Sequence, residues 1–185
     1  MRTRSKLNKV NLVSTIIFIL VAVFYLVHDK YFSSKKDVPD SLFEVVSVTD
    51  GDTLRVLVDK KEEKVRLIGI DTPEIAQKPW GGYAKTYLES LLNGSGWKVK
   101  IEYDLEKRDK YGRLLAYVRT NDGKLVNYLL VQNGYAMLYT VPPNVRYVDD
   151  LTSAQREARE KELGIWSKDG LKETPGTYRK KHPRT

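Results

Sequence analysis

From residue 41 onward the chain alternates short strand-like runs with runs of helical spacing. Leu42–Val48 and Thr53–Val58 read as strands joined by a turn at Asp50-Gly51. Lys64–Ile70 reads as a third strand, with Val65 and Leu67 on one face and Arg66 on the other. Trp97–Tyr103 alternates cleanly as a fourth. Arg113–Arg119 is a fifth, predicted to hairpin through Asn121-Asp122-Gly123 into Lys124–Val126. Apolar stripes of helical period run through Tyr83, Ala84, Tyr87, Leu88, Leu91 and Leu92, through Val126, Leu129 and Leu130 before Gly134, and through Leu151, Ala154 and Ala158 before Gly164. The order predicts an α+β fold, a five-stranded OB-type β-barrel with three flanking helices.

Residues 10–27, VNLVSTIIFILVAVFYLV, break this rhythm with eighteen uncharged positions. About 17–25 apolar residues suffice for a membrane-spanning helix. A signal segment needs a shorter run and a small-x-small cleavage site, and no good site follows here. The pattern predicts an N-terminal transmembrane helix, with secretion after signal cleavage as the alternative. Arg2, Arg4, Lys6 and Lys9 in the basic segment 1–9 place the N-terminus in the cytoplasm and the rest outside the cell membrane. Residues 28–40 read as a polar linker, 41–168 as the folded domain and 169–185 as a basic, flexible tail.

Composition narrows the chemistry. The chain has no cysteine, which excludes disulfides, thiolate nucleophiles and Cys-ligated metals. Its two histidines, His28 and His182, lie outside the expected core, so histidine triads and His-ligated zinc are disfavoured. The formal net charge of +8 resides mostly in the ends: 1–40 carries +4, 169–185 carries +3 and 41–168 only +1. Charge alone therefore does not assign a polyanion partner to the domain.

Candidate chemistry gathers in two segments. Asp50-Gly51-Asp52-Thr53 sits where one strand turns into the next, and Asp71-Thr72-Pro73-Glu74 follows the third strand. Asp52 and Asp71 offer hard carboxylate oxygens suited to Ca²⁺ or Mg²⁺. Glu74, one turn beyond, can orient or deprotonate a water. Arg66 and Arg113 supply permanently charged, forked donors that match phosphate. Each segment alone is also explained by turn chemistry, and each arginine alone by a solvated strand face.

Together these residues resemble the thermonuclease, or staphylococcal-nuclease-like, family. The matching blocks are VTDGDTLRV at 48–56, VRLIGIDTPE at 65–74, DKYGRLLAYV at 109–118, LVNYLLVQNGYA at 125–136 and LGIWSK at 163–168, in one order across 41–168. The resemblance implies a five-stranded OB-type barrel and calcium-dependent cleavage of DNA and RNA to 3′-phosphate products. It implies that Asp52 and Asp71 ligate Ca²⁺ with the backbone carbonyl of Thr72. Arg66 and Arg113 match the family's phosphate-binding arginines, and Glu74 matches the carboxylate often assigned as general base. Lys110, Tyr111 and Tyr139 match residues contacting the terminal phosphate and its flanks. The sequence departs from the pattern at Val141, where a second aromatic is expected, and in a shorter loop 75–82.

The expected partners are DNA and RNA, with single strands preferred, and a membrane through 10–27; no obligate protein partner is evident. A catalytically silent OB-fold nucleic-acid-binding module tethered to the membrane is the second reading, and a tethered adhesion protein the third. The carboxylates and arginines favour the enzyme over both.

Overall fold

The computed structural model describes residues 14–22 and 41–183, which fall into two units divided after Asp37. In the first unit, 14–22 form the exposed helix α1. Among the described residues no helix is long and apolar enough to cross a membrane. The basic segment 1–9, the linker 28–40 and the rest of the expected 10–27 span lie outside the described residues.

The second unit is a barrel with helices against it. Its strands are β1 (Phe43–Asp50), β2 (Thr53–Val58), β3 (Lys61–Leu67), β5 (Lys98–Glu102) and β6 (Leu114–Thr120), closed in the order β1-β2-β3-β6-β5. A separate pair joins β4 (Gly69–Asp71) to β7 (Met137–Tyr139). The helices are α2 (Trp80–Gly94), α3 (Val126–Gln132), α4 (Val148–Glu160) and α5 (Pro175–Lys181). Closure leaves no edge in the barrel itself. The seams are antiparallel except β3–β6, which is parallel, pairing Val65–Leu67 with Leu114–Ala116.

Alternation in the strands and period in the helices fill one core. Val45, Leu54, Val56, Val65, Leu67, Val99, Ile101, Ala116 and Val118 are buried along the barrel. Ala84, Leu88 and Leu92 of α2, Val126 and Leu130 of α3, and Leu151 and Ala154 of α4 pack on it with the three- or four-residue spacing that puts side chains on one helical face. The predicted barrel and the three predicted flanking helices are therefore present.

Four details differ from the sequence reading. The strand expected over Lys64–Ile70 is two strands, because Gly69 takes a φ of +79°. That left-handed conformation favours glycine and turns the backbone from one sheet into the other. The hairpin arm Lys124–Val126 is reduced to a single bridge between Arg119 and Leu125, since burial of Val126 already belongs to α3. β7 was not predicted; three residues are too few to show a period. Finally, the expected flexible tail carries α5. Thr174 caps it by accepting the Thr177 N–H at 3.1 Å, and Pro175 occupies its first turn, where the missing N–H costs nothing.

A buried ionic knot ties β5 and β6 to the segment leading into α4. Glu102, only 1% exposed, accepts from Arg146 Nη1 at 2.7 Å and from Arg119 Nε at 3.3 Å. The Tyr147 hydroxyl lies 2.8 Å from Glu102 Oε1 and itself accepts from Arg119 Nη2 at 2.8 Å. Removing the carboxylate takes the shared acceptor from two part-buried arginines and a buried phenol. Glu102→Ala is expected to cost about 3 kcal/mol, near the low end for breaking a buried pair because both arginines reach solvent. That corresponds to a fall in Tm of about 6–12 °C in a chain of this size, readable by calorimetry.

Candidate active site

The turn, a strand face and a strand exit converge at one end of the barrel. In β2–β3 register Thr53 faces Arg66, which sets Arg66 beside Asp52 in the β1–β2 turn. β4 then ends on Asp71, followed by Thr72. Arg66 Nε lies 3.2 Å from Asp52 Oδ1 and Arg66 Nη2 lies 3.3 Å from Asp71 Oδ1. The same guanidinium donates to the carbonyl of Ile70 at 2.9 Å and to that of Leu67. Asp52 Oδ2 accepts both the N–H and the hydroxyl of Thr72, each at 3.0 Å, and Oδ1 accepts from the Thr53 hydroxyl at 3.1 Å. Both carboxylates are nearly sealed, with 9% and 5% of their side chains exposed.

So much negative charge in so little solvent shifts the titrations. Burial pushes the Asp71 carboxyl above its ordinary value, and the hydrogen bond from Arg179 and the charges of Arg66 and Arg179 offset only part of it. Asp50, beside them, is pushed up to about 6 by burial and then by the charge of Asp52. A carboxyl with a raised folded-state pKa favours its protonated form in the fold. Its contribution to stability is present at low pH and is lost as pH rises through about 6. A cation at this end of the barrel would reverse that loss.

Glu74 reaches the same cluster from the loop before α2. Gly81 makes this possible: a β-carbon there would sit 2.0 Å from the Glu74 carbonyl oxygen. Gln77 locks the loop, its Oε1 accepting the Glu74 N–H at 3.0 Å and its Nε2 donating to the Glu173 carbonyl at 3.0 Å. That second bond fastens the loop to the segment leading into α5. From α5, Arg179 Nη2 donates to Asp71 Oδ2 at 2.8 Å, and Nη1 to Glu74 Oε1 at 2.9 Å and Asp71 Oδ1 at 3.2 Å. Hydrogen bonding to Asp71 holds the Arg179 guanidinium well above its ordinary pKa.

The other expected residues lie apart from this cluster. Arg113, just before β6, turns back on its own loop, with Nε and Nη2 both 2.7 Å from Asp109 Oδ2. Asp109 Oδ1 also accepts the N–H groups of Tyr111 and Arg113, at 2.9 and 3.0 Å. Burial pushes the Asp109 carboxyl up, but the Arg113 hydrogen bonds outweigh it and hold it below the usual range. Lys110 and the exposed Tyr111 stand at the rim of this loop, with Lys110 Nζ 5.1 Å from the Tyr111 ring centre. Tyr139, at the end of β7, lines a shallow depression of about 490 Å³ with Thr174, Arg179 and Lys180 of the tail. Val141 is half exposed beside it.

Asp52, Arg66, Asp71, Thr72 and Glu74 are thus one cluster, and Lys110, Tyr111 and Arg113 a second one organised by Asp109. Sequence reasoning missed Gln77, Asp109 and Arg179. Thr174-Pro175 is a readable helix start, so the tail helix was detectable; nothing local announced where Arg179 would point. Among the described residues no group of three or more His, Cys, Asp or Glu side chains is arranged to hold a metal ion. The donors that do converge, two buried carboxylates, are hard oxygens, and a guanidinium already stands against the outer oxygens of Asp71 as a cation. The set fits one hard cation completed by water, and fits no soft metal.

The family model described as Staphylococcal nuclease homologue matches residues 64–168. The chain belongs to the staphylococcal nuclease family. It is 39% identical over 159 residues to a thermonuclease of Staphylococcus intermedius, an alignment covering 82% of this chain and 93% of that protein. It is 35% identical over 133 residues to a thermonuclease of Staphylococcus hyicus, covering 69% and 77%. Endonuclease YncB of Bacillus subtilis is 40% identical over 128 residues, covering 65% of this chain and 59% of its own length. The match to the staphylococcal nuclease model begins inside β3 and so includes the Asp71–Glu74 segment, the Asp109 loop and α3–α4.

The close approach at Gly81 yields a test of how this staphylococcal-nuclease-type site is held. Gly81→Ala must push the Glu74–Ile75 backbone away. It is expected to cost about 1–3 kcal/mol by overpacking, seen in chemical denaturation. It should also move the amide resonances of Glu74 and Gln77 in the folded variant while leaving those of β5–β6 in place.

Proposed function

We propose that the chain is a calcium-dependent nuclease that hydrolyses phosphodiester bonds of DNA and RNA and leaves 3′-phosphate ends. Family membership supports a nuclease of the staphylococcal type. The observation that carries the finer reading is the sealed cluster of Asp52, Asp71, Glu74 and Arg66, a charge pattern with little use in a passive binding barrel. Asp52, Asp71 and the Thr72 carbonyl would hold the Ca²⁺, which when bound supplies positive charge to a phosphate oxygen.

The chain's own groups do the rest. Glu74 orients the attacking water and takes its proton as oxygen approaches phosphorus. The 5′-oxygen leaves on the opposite side, so the phosphate stays on the 3′ end. Arg66 is pre-aimed by its bonds to the Leu67 and Ile70 carbonyls and meets the charge that grows on the phosphoryl oxygens. Arg113 exchanges its Asp109 partner for phosphate and steadies the same charge. Lys110 and Tyr111 grip the neighbouring phosphate, and Tyr139 offers a ring face to a base or sugar. A narrow site that must surround one phosphodiester favours single strands over an intact duplex. Residues 10–27 are read as the anchor of a nuclease facing outward from the cell membrane, or as a signal removed on secretion.

The test uses the full chain and an end-labelled single-stranded DNA, with calcium and then with excess chelator. Cleavage is expected with calcium and abolished by chelation. Arg113→Ala and Glu74→Gln should each lower turnover by about 10²–10³ with Tm unchanged, the loss typical of one transition-state donor. Wild-type rates in both variants would overturn the residue assignment. A matched duplex should be cut more slowly than its single strand, and duplex preference would contradict the narrow-site argument.

A further inference from the structure

Arg179 has no place in the proposed reaction, yet it makes three bonds to two of that reaction's carboxylates. We propose that α5 is a built-in plug, in which Arg179 serves as a displaceable counter-ion at the cation position of the site. This inference rests on the calcium reading above.

The geometry makes occupancy by Arg179 and by a metal mutually exclusive. Arg179 Nη2 stands 2.8 Å from Asp71 Oδ2. Calcium would need a carboxylate oxygen at about 2.3–2.6 Å. Both on Asp71 would be two cations in contact, since Arg179 already bonds both of its oxygens. Arg66 cannot be the group that yields, because the carbonyls of Leu67 and Ile70 also hold it and 14% of its side chain is exposed. Arg179 is 40% exposed and comes from an element with far weaker support.

That support is countable. α5 has seven residues, too few to persist as a helix by itself. It is held by the Thr174 cap, by burial of Pro175, by the Gln77 bond to the Glu173 carbonyl, by the Lys181–Glu173 ion pair at 2.7 Å and by Arg179 on the carboxylates. Trading the last of these for a divalent cation leaves the end of the helix to the solvent-screened Lys181–Glu173 pair, while Gln77 keeps its start tethered. The loosened end bears Arg179 and Lys180, which line the depression at Tyr139, where an incoming polyanion would also draw it from the carboxylates. The metal-free site is thus neutralised from within, and calcium exchanges for the internal cation.

Isothermal titration of the full chain with calcium chloride tests the exchange. Arg179→Gln removes the competitor and is expected to tighten calcium binding about tenfold, the effect of one half-exposed charge-assisted contact. Hydrogen exchange of the unmodified chain supplies a readout that needs no variant. Saturating calcium should speed exchange at the Tyr178 and His182 amides of α5, which bond to the Thr174 and Tyr178 carbonyls, and slow it around Thr72. Equal or weaker calcium affinity in Arg179→Gln, or unchanged exchange in α5, overturns the plug and leaves the calcium reading standing. Absence of calcium binding in both proteins overturns the calcium reading and the plug with it.

Discussion

Two carboxylates sealed side by side at the mouth of a closed barrel cannot both stay ionised without a cation between them. Asp52 and Asp71 are in that position, and most of the local architecture answers it. The β2–β3 register delivers Arg66 to both. Thr72 spends its amide and hydroxyl on Asp52. Burial pushes the Asp71 and Asp50 carboxyls up, and Arg179 adds a second guanidinium against both oxygens of Asp71. The fold therefore sets a standing demand for positive charge at this end of the barrel, which Arg66 and Arg179 meet.

The barrel meets that demand through rigidity. Asp52 lies in a tight turn between two paired strands, and Asp71 ends a strand that is pinned by β7. Glu74 is carried on a loop, but Gly81 lets α2 press against its backbone and Gln77 fixes its amide. The second cluster is looser. Asp109 organises the Lys110–Arg113 loop, and its carboxylate holds the Arg113 guanidinium. The first cluster is thus built mostly into strands, and the second is carried on a loop.

Much of this was legible in the residues. Alternation found the barrel strands, period found α2, α3 and α4, and the Asp-Gly-Asp and Asp-Thr-Pro-Glu segments marked the carboxylates. What escaped was decided by tertiary contacts. The break at Gly69 looks like one more residue in an apolar run until its φ is known. β7 is a strand only because β4 is there to pair with it. A basic run such as Arg179–Lys181 reads as a solvated tail, because no local pattern shows that a guanidinium will find buried carboxylates about a hundred residues earlier in the chain.

The parallel seam between β3 and β6 carries a consequence for how the molecule breathes. It joins segments nearly fifty residues apart and is only three residue pairs long, Val65–Leu67 against Leu114–Ala116. Contacts so distant in sequence form late in folding, and a seam so short is among the first to open in local fluctuations. Arg66 sits in one lip of this seam, and Arg113 immediately precedes the other. Fluctuations that part the lips would separate the two arginines while the Asp52 turn stayed folded, so the spacing of these two charges is governed by a short parallel joint of the barrel.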